Sequence, residues 1–317
     1  MDLSIILPVY NEEENIPKLH SKITNVLTKL NKSYEIIYVD DGSKDSSFEI
    51  LSEMAKADKR VKIVQFRKNF GQTAAISAGI EYSQGDILIL MDADGQNDPE
   101  DISRLLEKID EGYDVVSGWR KNRQDKLITR KIPSVLANKL ISMVTGVHLH
   151  DYGCTLKAYK RDIIKDIKLY GEMHRFIPVY AAWWGGAKIS EIVVTHHPRR
   201  YGKTKYGLSR TIKVILDLWT LKFLGSYGTK PIYTFGGFGI LLCFSGIMIS
   251  AVVIFQKYAY GVWVHRNPLL LLSVFLFILG VQLGMLGLLA EIIIRTYYES
   301  QNKSTYLLKK IINLERG

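Results

Sequence analysis

Two uncharged runs near the C-terminal end, Ile232–Phe255 and Leu269–Ala290, constrain this chain more than any other feature. Each exceeds the roughly 20 apolar residues that a helix needs to cross a bilayer. Inside hydrocarbon only a helix or a closed barrel satisfies every backbone polar group, so two neighbouring runs joined by a short loop predict a helical membrane hairpin. Tyr227, Tyr233, Tyr258, Tyr260, Trp263, Tyr297 and Tyr298 sit near the run ends, as an aromatic belt does. The connecting loop carries Lys257, His265 and Arg266, whereas the outer flanks carry Lys222, Lys230, Arg295, Lys303, Lys309 and Lys310. The positive-inside rule therefore predicts cytoplasmic termini and a cytoplasmic N-terminal region. Glu291, four residues before Arg295, reads either as half of an i, i+4 pair or as a contact to another subunit.

The 317 residues leave room for one large domain ahead of the hairpin. Met1-Asp2 leads directly into an apolar run, so no secretory signal peptide is expected. Only Cys154 and Cys243 are present, which excludes a disulfide framework and a Cys-rich zinc site and points to a reducing compartment. The net charge of +10, from 42 basic and 32 acidic residues, fits nucleic acid, a membrane surface or an anionic substrate. Much of it lies in Arg120–Lys139, Arg199–Lys213 and the C-terminal tail, beside apolar segments and without any zinc-finger, RNP-type or basic-zipper pattern. Nucleic acid is the weakest of the three.

Before the hairpin, apolar runs alternate with helical patterns. Strands are predicted at Leu3–Val9, Tyr34–Val39, Val61–Phe66, Ile87–Met91 and Asp114–Ser117. Helices are predicted to about Leu30, from about Ser46, over Gly71–Tyr82 and over Pro99–Glu111. This alternation specifies an α/β, doubly wound, parallel sheet. The first strand leads into PVYNEEEN, without G-x-G-x-x-G, and no G-x-x-x-x-G-K-[ST] occurs, which argues against an NAD enzyme or a P-loop NTPase. Further on, Pro133–Val144 reads as a helix, His150–Lys160 as a loop and strand, and Lys188–Thr195 as a strand. The polar, basic stretch HHPRRYGKTKYG then leads into Leu208–Leu224, whose spacing fits an amphipathic helix in the membrane interface or a surface helix packed on the core.

Three predicted strands end in polar groups: Tyr10-Asn11-Glu12, Asp40-Asp41-Gly42-Ser43 and Asp92-Ala93-Asp94. In a parallel sheet those ends converge on the crevice where ligands bind. Acidic ends facing one crevice repel unless a cation or a hydroxyl-rich ligand lies between them. Asp92 and Asp94, one residue apart, suit Mg²⁺ or Mn²⁺ bridging to a diphosphate. The competing reading is a helix N-cap, because Asp98-Pro99-Glu100 opens a helix just beyond.

The set PVYNEEEN, VDDGSKDSS, FRKNFGQTAA, MDADGQNDPED and VVSGWR resembles family 2 glycosyltransferases of the Rossmann-like GT-A fold. With HDYGCTLKAYKR, RRYGKTKY and the hairpin, the chain is similar to the polyprenyl-phosphate glycosyltransferases along nearly its whole length. These include dolichyl-phosphate mannose synthases, bacterial polyisoprenyl-phosphate glucosyltransferases and undecaprenyl-phosphate 4-deoxy-4-formamido-L-arabinose transferases. The last group is nearest, through EGYDVVSGWRKNRQD, DYGCTLKAY and RFIPVYAA. The resemblance implies inverting transfer from a nucleotide-sugar, UDP-linked, to a polyprenyl phosphate, assisted by Mg²⁺ or Mn²⁺.

It further implies that Pro8, Tyr10, Glu12, Val39 and Asp41 line the nucleotide pocket, together with Asp92, Ala93 and Asp94. Asp92 and Asp94 would hold the metal, with Gln96 completing its shell or touching phosphate. Arg120, Arg199 and Lys205 match positions for anionic phosphate, although attraction to a membrane surface explains such cations too. Asp151 is the carboxylate candidate near the acceptor, as a base, a sugar-orienting group or merely a turn former.

The expected organisation is a cytoplasmic GT-A domain over residues 1–206, an amphipathic segment over 207–230, the hairpin over 231–295 and a cytoplasmic tail over 296–317. A bacterial inner-membrane location and a homo-oligomer, a tetramer in the family, are implied as well. Two other readings remain: a processive polysaccharide synthase, disfavoured by the missing Q-x-x-R-W motif, and a silent nucleotide-sugar-binding module, disfavoured by Asp92, Asp94 and Arg120.

Overall fold

Four buried runs build the centre of the sheet: β1 (Leu3–Val9), β2 (Tyr34–Asp40), β3 (Val61–Phe66) and β4 (Ile87–Leu90). They are buried almost throughout, as parallel strands covered on both faces must be. Consecutive residues face opposite layers. Ile5 and Leu7 pack beneath α1 (Ile16–Lys29) and α4 (Asp101–Asp110), whereas Ile6 meets Ile76 and Ile80 of α3 (Gln72–Glu81). α1 buries Ile16, Leu19, Ile23 and Leu27, the stripe expected of a helix lying on a sheet. α2 (Ser47–Ala57) covers the same face. α3 instead buries small residues, Ala74, Ala75 and Ala78, so its backbone lies close to β2 and β3. Each fully buried Ile or Leu contributes about 1.5–3 kcal/mol. The computed structural model describes residues 1–121, 132–165, 167, 169, 171, 173–198, 231–300 and 308–312.

The second half completes the sheet with β5 (Val115–Trp119), α5 (Ile132–Thr145), β6 (Lys157–Lys160), the short α6 (Arg161–Ile164), a 3₁₀ turn at Met173–Phe176, α7 (Ile177–Gly185) and β7 (Ile189–Val193). Near the end of the chain, β8 (Leu308–Ile312) joins the same sheet. The strand order is β7-β5-β6-β4-β1-β2-β3-β8. β1, β2, β3 and β4 pair in parallel, as the sequence predicts. β6 enters in the opposite direction, antiparallel to both β4 and β5, so the sheet is mostly parallel. β8 covers the β3 edge, antiparallel, where the sequence reading placed only a tail.

The remaining compact unit contains α8 (Pro231–Tyr260) and α9 (Pro268–Ser300), which pack against each other. Within them, Phe235–Tyr260 and Pro268–Ala290 are long and apolar enough to cross a membrane. Ile240, Leu271 and Met285 are 73%, 77% and 67% exposed, so the apolar surface of this pair faces outward instead of forming a buried core. A Cβ on Gly280 would lie 2.5 Å from the Gly239 carbonyl oxygen, so the two backbones touch there. Asn267 caps α9 by accepting the Leu269 N–H at 3.1 Å, and Pro268 stands at its first position. Its amide also donates to Gln256 Oε1 at 2.6 Å, fastening the connecting loop. Glu291 and Arg295 fall on α9, but their side chains lie outside the described residues, as does the predicted Leu208–Leu224 helix.

Candidate active site

The carboxyl ends of β1 and β2 are stitched together by their own turns. Asn11 takes φ +54° and donates its N–H to Ser43 Oγ at 2.9 Å, while its side chain accepts the Lys44 N–H at 2.8 Å. The Glu12 N–H reaches Ser47 Oγ at 2.9 Å, and its carboxylate accepts from Asn15 at 2.7 Å. Gly42, at φ +70°, admits the β3 loop so closely that a Cβ would stand 2.5 Å from the Lys68 carbonyl carbon. The result is a cavity of about 460 Å³ lined by Tyr10, Gly42, Ser43, Lys44, Arg67 and Lys68 among others. Its size and mixed polarity suit a nucleoside.

Asp41 sits at the back of this region, 4% exposed. Its carboxylate accepts the Phe70 N–H at 2.7 Å, the Gly71 N–H at 2.9 Å and the Asn69 amide at 2.9 Å, so it anchors the loop that leads into α3. Pro8 and Val39 are register partners one step below the strand ends. Val39 is wholly buried against α3, so it supports the floor and does not line it.

Asp92 and Asp94 follow β4 directly. One Asp92 oxygen accepts from Gln72 Nε2 at 2.7 Å, the other from Thr155 Oγ1 at 2.7 Å. Burial, reinforced by the neighbouring Asp94 charge, pushes the Asp92 carboxyl up to about 6. Asp94 accepts the Gln96 N–H at 3.1 Å, and Ala93 between them is 2% exposed and packed into the core. Asp98, not the Asp92/Asp94 pair, serves the start of α4, accepting the Glu100 N–H at 3.1 Å. The N-cap reading of Asp92 and Asp94 therefore finds no support.

Gln96 is tied to the segment after β7. Its carbonyl accepts the His197 N–H at 2.8 Å, and its amide reaches the His197 carbonyl at 3.4 Å. His197 Nε2 also lies 2.9 Å from Asp98, so the segment after β7 is tied to the Asp92 loop. Arg199 and Lys205 follow that segment and lie outside the described residues.

β6 brings a second loop beside the first. Arg120 Nε and Nη2 donate to Asp151 at 2.7 and 2.9 Å, a side-on bidentate pair with both side chains nearly buried. Burial alone would lower the Arg120 pKa, but the Asp151 charge and hydrogen bonds raise it. Beneath the loop, the buried Lys157 ammonium donates to the carbonyls of Tyr152 and Cys154, and burial lowers its pKa. Arg120 and Lys157 both act on the Asp92 charge. Asp92, Asp151, Arg120 and Lys157 therefore form one electrostatic cluster, built from β4, β5 and β6.

Residues 4–168 match the sequence profile described as Glycosyl transferase family 2, just over half of the chain. This chain belongs to that family. The relatives extend the likeness to full length. A dodecaprenyl-phosphate galacturonate synthase of Rhizobium johnstonii is 41% identical over 99% of this chain and 94% of its own. Undecaprenyl-phosphate 4-deoxy-4-formamido-L-arabinose transferases of Klebsiella pneumoniae and Aeromonas hydrophila are 36% and 38% identical over 98% of this chain and 93% and 94% of theirs. Among solved structures, glucosyl-3-phosphoglycerate synthase of Mycobacterium tuberculosis, determined with Mn²⁺, UDP and phosphoglyceric acid, shares the fold at a TM-score of 0.54. That match has 17% identity over 70% of this chain and 78% of the other. Mannosyl-3-phosphoglycerate synthase of Rubrobacter xylanophilus aligns at 0.56 with 14% identity, over 70% and 74%. The family 2 chain thus has the GT-A fold.

Sequence reading missed the residues that hold the glycosyltransferase cluster together. Gln72, Thr155 and Lys157 lie inside the quoted motifs FGQTAA and CTLKAY, yet no spacing rule links them to Asp92 across the sheet. A lysine in the middle of the otherwise apolar run LKAY was the available signal.

Proposed function

We propose that this family 2 enzyme transfers a sugar from a UDP-linked donor to a polyprenyl phosphate, with inversion, at the cytoplasmic face of a bacterial membrane. One observation carries the reading: the Asp92/Asp94 pair and the Arg120–Asp151 pair share one end of the sheet with a nucleoside-sized cavity. The full-length relatives, whose names specify polyprenyl-phosphate sugar products, support the acceptor class.

A divalent metal, Mg²⁺ or Mn²⁺, fits the donor set. Two carboxylates close enough for one to raise the other's pKa are relieved by a cation between them, and carboxylate oxygens suit hard ions. Asp92, Asp94 and Gln96 are the residues that would hold it. When bound it would neutralise charge developing on the departing diphosphate. Gln72 and Thr155 fix the Asp92 carboxylate with one hydrogen bond to each oxygen. The family resemblance assigns the nucleotide to Tyr10, Glu12 and Asp41. In this fold Asp41 acts through the 69–71 loop as well.

A phosphate monoester has its second pKa near about 6, so the acceptor is largely ionised at neutral pH and needs no strong base. Asp151 is engaged with Arg120, which supports a role in holding that guanidinium toward phosphate over one in removing a proton. Nη1 of Arg120 makes no hydrogen bond among the described residues.

The test is a panel of UDP-sugars, including galacturonate and 4-deoxy-4-formamido-arabinose, with undecaprenyl phosphate and mass detection of the lipid product. A lipid-phosphate sugar is expected from at least one donor. Asp94→Asn is expected to lose at least about 100-fold in turnover, the scale of one electrostatic stabiliser. Wild-type turnover in that variant sinks the metal role, and a polymeric product revives a processive synthase.

A further inference from the structure

His150 immediately precedes Asp151, and its imidazole is held in one orientation from two sides. The ring stacks on Trp119, with centroids 4.1 Å apart and planes 16° from parallel. Nδ1 lies 2.7 Å from Glu191 Oε2. The same carboxylate accepts the backbone N–H of His150 at 3.0 Å and that of Asp151 at 3.1 Å. Glu191 stands on β7, beside the β5 strand that ends in Trp119, so strand pairing sets its position. The His150 side chain is nonetheless 68% exposed, against 11% for Glu191. A surface histidine ordinarily gains from rotamer freedom, and nothing in core packing demands that this one be fixed.

The fixed ring presents Nε2 on the edge away from Glu191, and among the described residues no side chain or backbone group meets it. The charged groups around it divide by direction. Glu191 and Asp151 are committed to His150 and Arg120. Lys121 lies with Nζ 5.4 Å from the centre of the Trp119 ring, and no carboxylate pairs with it among the described residues. The Trp119 indole therefore gathers His150 and Lys121, while Arg120, between Trp119 and Lys121 in sequence, is held by Asp151, the residue after His150. With Nδ1–H given to Glu191, the ring offers Nε2–H outward when it carries a second proton, which a phosphate anion at that edge favours.

We propose that His150 is a phosphate-recognition residue, donating Nε2–H to a phosphate oxygen beside Arg120 and Lys121, with Glu191 as its positioning residue. The proposal rests on the transfer reaction above for its two phosphate sources, the donor diphosphate and the acceptor phosphate monoester. Recognition of a phosphate by one such charge-assisted bond is worth about tenfold in affinity or more.

Affinities of the full-length protein for UDP and for undecaprenyl phosphate are measured in wild type, His150→Ala, His150→Gln, Glu191→Gln and the His150→Ala/Glu191→Gln double variant. A loss of about tenfold for undecaprenyl phosphate with UDP unchanged assigns the subsite to the acceptor. The converse assigns it to the donor, and either result supports the proposal. The double variant is expected to be no weaker than His150→Ala, because Glu191 acts through that ring. Additive losses overturn the positioning role, and unchanged affinity for both ligands across all the variants overturns the proposal. A wild type that binds both ligands but transfers no sugar defeats the reaction assigned above and leaves the phosphate subsite standing.

Discussion

At Asp92 the demands of folding and of chemistry oppose each other. The carboxylate is buried beside Asp94 and titrates near 6, above an unfolded aspartate. Ionisation therefore opposes folding at neutral pH. That penalty is present in full above about pH 6 and is gone below about pH 4, where both states are protonated. Asp92→Asn removes it, because Thr155 can turn its hydroxyl and Gln72 its amide to meet the new NH₂ group. In the metal-free protein Asp92→Asn is expected to raise the thermal midpoint at pH 7.5, and to raise it less at pH 5, while turnover collapses. A lower midpoint at pH 7.5 contradicts the burial argument. Arg120 and Asp151 behave oppositely. Each compensates the other, so Asp151→Ala strands a buried guanidinium and is expected to destabilise the fold by about 3–5 kcal/mol. Asp151→Ala on an Arg120→Met background is expected to cost much less, by denaturation of both variants.

At the scale of elements, the first four strands and their helices were legible because each carries a strong periodic or unbroken apolar signal. Leu3–Val9 and Val61–Phe66 occur with the expected bounds, and the amphipathic stripe of α1 ends at Lys29, within a residue of expectation. The site was legible in part, where acidic groups end those strands. What escaped was pairing. Nothing local to Lys157–Lys160 says that it runs backwards between β4 and β5, because the partner strands lie dozens of residues away. β8 escaped for another reason: Leu308–Ile312 is short and carries Lys309 and Lys310, as an edge strand does. Its pairing places Lys310 opposite Gln65 and Leu308 opposite Phe66, and Gln65 and Phe66 also border the nucleoside cavity. Deleting residues 308–317 is expected to weaken UDP binding severalfold, by titration calorimetry on detergent-solubilised protein. Unaltered affinity would show that β8 only shields the β3 edge.

For the whole molecule, outward apolar surface on α8 and α9 and the charge imbalance around them set the expected topology. Single cysteines placed in a Cys154→Ser/Cys243→Ser background report it. A cysteine at Trp263, in the loop between the two helices, is expected to react with an impermeant maleimide from outside intact cells, whereas one at Lys18 reacts only after lysis. The reverse pattern excludes a cytoplasmic catalytic unit. The homo-oligomer expected from the sequence is tested by native mass spectrometry, where a tetramer registers at four times the 36.1 kDa chain mass and a monomer at that mass overturns it.

The reversed strand β6 also governs how these enzymes can be recombined. Because β6 wedges between β4 and β5, the Asp92 loop and the Asp151 loop share hydrogen bonds and charge, not merely a neighbourhood. A chimera that imports residues 146–160 from a relative without residues 86–97 would pair two loops taken from different proteins across these contacts. Exchanging both stretches together is the cut that keeps the cluster whole, so donor and acceptor preference are expected to travel between relatives as one cassette.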